Sequence, residues 1–191
     1  MIHEVIVTTL NEDGTTHIAP MGVRFENNKY IIAPFKPSAT LNNILREKTA
    51  VINRTNDVRI FAGCLTGRKN WETVDSNKIN TKRLVSTLSH VELELEEFRD
   101  DELRPTFFMN SVNEVTHSPF TGFNRAQSAI LEAAILVSRL EMLSDEKICD
   151  ELKYLRIAID KTAGECELEA WNWLMEKIEK YQTENNKVLI A

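Results

Sequence analysis

Pro34-Phe35-Lys36-Pro37-Ser38-Ala39-Thr40-Leu41-Asn42-Asn43-Ile44-Leu45 follows directly on the apolar run Tyr30-Ile31-Ile32-Ala33. A β-rich run broken by two prolines and restarted with hydroxyl residues reads as strand, turn and helix. The first turn of a helix carries backbone N–H groups without intrahelical partners, and the aligned peptide dipoles favour negative charge there. Ser38 and Thr40 add hydroxyls at that point, Lys36 adds a charge and Asn43 an amide one turn on. The segment is therefore an anion site or an ordinary N-cap, which by itself stabilises a helix by about 1 kcal/mol. Spacing alone leaves both readings open.

Outward from this segment the first half of the chain is strand-rich. Val5 to Leu10 has the β-branched enrichment of a strand, and Asn11-Glu12-Asp13-Gly14 supplies a turn. His17 to Phe25 returns as a second strand, in which Pro20 predicts an edge, a bulge or a break. Lys29 to Ala33 forms the third, and a helix runs from about Ser38 to Glu47. Thr49 to Arg54 and Asp57 to Leu65 read as two further strands, and residues 66–83 as a long polar connection. Val91, Leu93 and Leu95 alternate with Glu92, Glu94 and Glu96, the pattern of a strand with a solvated glutamate face, and Pro105 to Val115 is its expected partner.

Near Phe123 the period changes. Ala126, Ala129/Ile130, Ala133/Ala134, Val137 and Leu140 recur at helical spacing behind a capping Asn124. Ile148, Leu152, Leu155 and Ile159 form a second stripe starting at Ser144-Asp145. Thr162-Ala163-Gly164 ends it, and Trp171, Leu174/Met175 and Ile178 make a third. Trp171 and Trp173 diverge by about 200° on a helix, so one belongs to the core and the other lies partly exposed. These patterns predict an α+β chain with a β-rich domain over 1–120 and a three-helix subdomain over 121–191 packed on it.

The 191 residues carry a formal charge of −6, with 23 basic and 29 acidic side chains. No basic stripe interrupts them, so nucleic-acid partners are not expected. No apolar stretch approaches the roughly 20 residues that span a bilayer, and the N-terminus lacks the pattern of a signal peptide. A cytoplasmic location without membrane partners is the expectation. Cys64, Cys149 and Cys166 are expected as small buried apolar groups in a reducing compartment. The four histidines, His3, His17, His90 and His117, have no metal-ligand spacing, and no metal is expected. Glycine-rich nucleotide signatures and nucleophile motifs are absent, so no residue reads as a catalytic acid, base or nucleophile. Asn124-Arg125 reads either as a cap with a surface charge or as an arginine reaching for an anionic ligand.

Taken together, Ile6 to Gly14, Ala19-Pro20-Met21-Gly22, Pro34 to Asn43 and Asn53-Arg54-Thr55-Asn56-Asp57-Val58 resemble the domain-of-unknown-function family 447. Phe123-Asn124-Arg125-Ala126, Ile130 to Ile135, Ser138-Arg139-Leu140 and Lys161-Thr162 extend the resemblance over nearly the whole chain. It implies an FMN-binding split β-barrel, the fold of flavin reductases and pyridoxamine phosphate oxidases, with a C-terminal helical subdomain. It also implies a homodimer holding FMN at or near the dimer interface. On this reading Ser38 and Thr40 meet the FMN phosphate, and backbone from Ile18 through Met21 and Gly22 meets the ring edge, with Pro20 interrupting the usual ladder. Asn53 faces the ribityl chain or ring, while Lys36 or Arg125 replaces the basic residue of other split barrels; Asn43 completes the candidate set. The implied function is that of an FMN-binding flavoprotein, one form of which is an oxidoreductase using NAD(P)H or a deazaflavin on a small-molecule substrate. The alternative is a non-catalytic flavin carrier, sensor or assembly module.

Overall fold

β-Branched residues at Val5 and Val7 put their side chains on one face of the first strand, and five strands complete a barrel around that face. The computed structural model describes residues 1–184. Its first unit comprises Met1–Asn56 and Asn70–Phe120. Here β1 (Ile2–Leu10), β2 (Thr16–Glu26), β3 (Lys29–Ile32) and α1 (Ala39–Glu47) precede β4 (Thr49–Arg54). After an excursion of the chain come β5 (Thr73–Asp75), β6 (Lys82–Leu84), β7 (Ser89–Arg99) and β8 (Thr106–Thr116). Six strands close in the order β1-β2-β3-β8-β7-β4, every neighbouring pair antiparallel, and β5-β6 form a separate hairpin. Gly14, at φ 79°, supplies the left-handed residue of the β1–β2 turn, where its N–H bonds to the Asn11 carbonyl at 3.0 Å.

The barrel interior holds Val5, Val7, Val23, Ile32, Ala50, Ile52, Val91, Leu93, Phe107 and Met109, with Leu41 and Ile44 of α1. The β1–β2 register runs through Pro20, opposite Ile6, without a shift, so the ladder is not interrupted there. β3 pairs with β2 only from Val23 to Glu26. Among the described residues no strand lies on the far side of Thr16–Gly22, and a missing N–H is harmless on such an edge.

Three expectations are corrected. Asp57 to Leu65 is not a strand: Val58–Thr66 is a helix, α2, capped by the Asp57 carboxylate on the Arg59 N–H at 3.1 Å and ended by Gly67 at φ 84°. The run Val58-Arg59-Ile60-Phe61-Ala62 suits either period, but the Asp and Gly at its ends are helix signals. Residues 66–83 contain the β5–β6 hairpin rather than an unstructured connection. Lastly, the glutamate face of β7 is not all solvated. Glu94 and Glu96 are exposed, whereas Glu92 has 0% exposure.

The burial of Glu92 follows from what covers it. Its carboxylate accepts the backbone N–H groups of Asn77 at 2.9 Å, Lys78 at 2.7 Å and Ile79 at 3.2 Å, a concave nest in the loop joining β5 to β6. Asn113 donates at 2.7 Å and the His90 ring at 3.1 Å. Burial alone would raise the Glu92 pKa, but these donors outweigh it and hold it down at about 2. An ionised Glu92 only accepts, so His90 Nε2 carries a proton and a neutral His90 accepts at Nδ1 from His117 Nε2, 2.8 Å away. The two rings lie 7° from parallel, and burial, reinforced by the charge of Arg83, lowers the pKa of His117.

The second unit comprises Asp57–Lys69 and the chain from Thr121. Beside α2 it contains α3 (Arg125–Val137), α4 (Asp145–Thr162) and α5 (Glu165–Glu184). Asn124 caps α3 through the Ala126 N–H at 2.8 Å, and Ser144 caps α4. Val58 and Ala62 of α2 share one core with Ala129, Ile130, Ala133, Ile159, Trp171 and Leu174. Trp171 is 3% exposed, while Trp173 packs at the margin with Arg68 stacked 4.8 Å over its ring. Cys166 is exposed, in contrast to the sequence expectation; Cys64 and Cys149 are half-buried.

Glu92→Gln keeps the shape but replaces one acceptor with a donor aimed at N–H groups. A shift from 4.5 to about 2 corresponds to roughly 3 kcal/mol of stability. Because the folded pKa is depressed, that stability is present above the ordinary carboxylate range and is lost as pH falls through 4.5 towards 2. Urea unfolding at pH 7 is expected to show a loss of this size in the variant. Its melting temperature is also expected to depend less on pH below 5 than that of the parent.

Candidate functional site

Ser38 begins α1 with an extended backbone at φ −156°, and its Oγ accepts the Leu41 N–H at 3.3 Å. That bond uses a lone pair and leaves the hydroxyl proton available to an incoming acceptor. The helix gives the N–H groups of Ala39 and Thr40 no acceptor, and the first turn contains no acidic residue. Thr40 is 2% exposed. The start of α1 thus offers donors with no carboxylate set against them.

The approach to α1 is fastened by a distant loop. Lys36 N–H donates to the Leu103 carbonyl at 2.9 Å, and Arg104 donates to the Ala33 carbonyl at 3.1 Å. The Arg104 guanidinium also lies 4.6 Å over the Phe35 ring. Lys36 Nζ reaches Asp100 at 3.1 Å. Asp101 accepts the N–H groups of Leu103 at 2.9 Å and Arg104 at 2.7 Å, and these bonds depress its pKa. Sequence reasoning missed Arg104. It lies far from Ser38 in the chain, and no local pattern marks a residue whose role depends on one β7–β8 loop touching the strand-to-helix turn.

The remaining sequence candidates fall in different places. Met21 and Gly22 lie at the end of the open β2 edge. A Cβ at Gly22 would come within 2.8 Å of the Ile2 side chain, so glycine there leaves that side chain its room. Asn43 is 4% exposed and donates to Thr9 at 3.0 Å and Asn11 at 2.9 Å, while accepting from Arg46 at 3.3 Å. Asn53 has 0% exposure; its amide nitrogen serves the Ile6 carbonyl and Thr8, and its oxygen accepts the Leu84 N–H at 2.8 Å. Both asparagines are thereby engaged in holding elements to the barrel. Arg125 belongs to the second unit, in the wall of a groove with Tyr154 and Ile157. Among the described residues, no three His, Cys, Asp or Glu side chains are grouped to hold a metal ion, and no helix is long and apolar enough to cross a membrane.

Comparison with known families places this geometry. The models of the protein of unknown function DUF447 match the chain twice, the N-terminal domain over residues 3–118 and the second domain over residues 124–176. No curated protein matches the chain. Among solved structures it is similar to the FMN-bound DUF447 protein MM1853 of Methanosarcina mazei, with 22% identity and a TM-score of 0.79 over 92% of this chain and 94% of that one. It is also similar to the 2-nitrobenzoate 2-nitroreductase NbaA of Pseudomonas fluorescens, with 20% identity and a TM-score of 0.53 over 60% and 64%. A third likeness is to an FMN-binding protein of Thermus thermophilus with bound 1-cyclohex-2-enone, with 11% identity and a TM-score of 0.51 over 59% and 69%. These likenesses show the fold to be the split β-barrel of FMN-binding proteins.

Asn43→Ala removes the side-chain link between α1 and the end of β1. With Thr9 and Asn11 left short of a partner, the expected cost is about 1–3 kcal/mol, read as a lower urea midpoint with an unchanged m-value.

Proposed function

The chain belongs to the DUF447 family, and from that premise we propose that it is an FMN-binding flavoprotein whose phosphate seat is the start of α1. The observation that carries this reading is the donor set at Ser38–Thr40, free of acidic residues in its first turn, at the end of a segment beside Arg104. A phosphate needs several donors and little opposing charge. The nearby Asp100 and Asp101 are turned to Lys36 and to backbone N–H groups. The FMN named for the Methanosarcina and Thermus proteins supports the same identification.

In this site Ser38, Ala39 and Thr40 bind the phosphate and Arg104 and Lys36 add charge. The open edge of β2 through Met21 and Gly22 supplies backbone groups to orient the ring. When bound, the flavin supplies hydride and electron transfer. The activity we infer is that of an oxidoreductase reduced by NAD(P)H or a deazaflavin, a reading supported by the nitroreductase among its structural relatives. We also infer a homodimer, the state that the family resemblance implies; light scattering reads that state directly.

Purified protein is expected to be yellow and to release FMN on denaturation. Ser38→Ala with Thr40→Ala is expected to weaken FMN binding at least about tenfold, to weaken riboflavin binding much less, and to lower the apo-protein's melting temperature by only a few degrees. Equal loss of both ligands with a large loss of stability would make Ser38 a helix cap alone. Anaerobic NADH, NADPH or reduced deazaflavin is expected to bleach the bound flavin; a flavin left oxidised by all three would return the carrier reading.

A further inference from the structure

The two ends of the barrel differ. At the end of β1 near Leu10, α1 inserts Leu41 and Ile44, 4% and 0% exposed, into the core. The opposite end, where β1 starts and β4 finishes, has no such plug among the described residues and opens into a cavity of about 220 Å³. Its floor is apolar: Val5, Val23 and Ile52 are 4%, 3% and 1% exposed. One wall is aromatic, with the Phe25 and Tyr30 rings 4.8 Å apart and tilted 51°.

Arg24 and Arg54 are the charged groups in the lining, beside His3, and among the described residues no carboxylate lines the cavity, in a chain of net charge −6. Arg54 is set in place by Glu114 at 2.5 Å, Ser89 at 3.3 Å and the Tyr30 hydroxyl at 3.0 Å. Arg24 is loosely held: among the described residues its one ion pair is with Glu26 at 3.9 Å, both side chains over 40% exposed. The Tyr30 oxygen accepts from Arg54 and so directs its own proton elsewhere; Glu114 at 3.5 Å is a poor acceptor for it. Burial raises the pKa of this phenol, so it remains a donor at neutral pH.

Size selects among anions. An apolar cavity of about 150 Å³ holds benzene, and pockets for drug-sized ligands begin near 300 Å³. A flavin or nicotinamide nucleotide is far too large for this space. We propose that the open mouth of the barrel is a binding site for a small organic carboxylate with a compact apolar body of one ring's size. Its carboxylate meets Arg24 and the Tyr30 hydroxyl at the rim, and its body rests on Val5, Val23 and Ile52. The site is separate from the start of α1 and does not rest on the flavin reading.

The test is a titration of the full chain with benzoate, followed by methyl NMR of Val5, Val23 and Ile52 with and without added FMN. Benzoate is expected to shift these methyls with a Kd on the order of 1 mM. Acetate, which lacks the body, and benzamide, which lacks the charge, are each expected to bind about tenfold more weakly, a difference of about 1.4 kcal/mol. Arg24→Gln lies on an exposed strand position, and it is expected to weaken benzoate about tenfold while leaving benzamide unchanged. Tyr30→Phe is expected to weaken benzoate as well. No methyl shift at about 50 mM benzoate would overturn the proposal, since that is far above a millimolar Kd. Acetate binding as tightly as benzoate, or shifts confined to α1, would overturn it too. Loss of FMN binding in Ser38→Ala/Thr40→Ala with benzoate shifts intact would leave this site standing apart from the flavin reading.

Discussion

A carboxylate with no solvent contact organises one side of the barrel. Glu92 would be costly to bury alone, and the cost is met only because three consecutive backbone N–H groups, an amide and an imidazole converge on it. Those donors lie in the β5–β6 connection, on β7 and on β8, so the charge fixes three parts of the chain at once. Asn53 does the same work a strand away, holding Leu84 of β6 to β1 and β4. The Thr8 hydroxyl on the Lys82 carbonyl at 2.6 Å and the Thr49–Thr81 pair at 2.9 Å continue the seam. The hairpin covers the outer face of the barrel through these polar contacts, and this is why β1 is buried on both faces from Val5 to Thr9.

The same seam marks the limit of what the sequence discloses. The barrel strands, α1 with its Ser38 cap, Asn124 and the three C-terminal stripes are legible because local period and local cap chemistry set them. Glu92 was not legible as a buried residue. Its spacing is that of any solvated strand face, and only a loop some fifteen residues away converts it into an interior anion. Asn53 and Asn43 were legible as special asparagines but not as structural ones, because their partners lie on other elements. α2 shows the opposite case: the Asp57 and Gly67 signals are local, and they outrank a short apolar run that suits either period.

On the reading proposed above, the start of α1 combines two roles that compete for the same groups in many proteins. Ser38 spends a lone pair on the cap and keeps a proton, so the helix can be closed and still receive an anion. Within the first two turns of the same element, Leu41 and Ile44 close the barrel. Site and plug are thus one rigid piece, and the β7–β8 loop, through Arg104 and Leu103, fixes the turn that leads into it.

The excursion at Asp57–Lys69 has a consequence for how the chain can be divided. The first unit is discontinuous in sequence, and the helix that interrupts it contributes Val58 and Ala62 to the core of the other unit. A cut between residues 120 and 121 would therefore not separate two domains. It would leave the N-terminal fragment carrying an apolar helix whose partners had been removed, and the C-terminal fragment with a missing wall. Genetic modularity and structural modularity do not coincide here: the barrel core lies wholly within the first 120 residues, while the helical core needs Val58 and Ala62 from that same stretch.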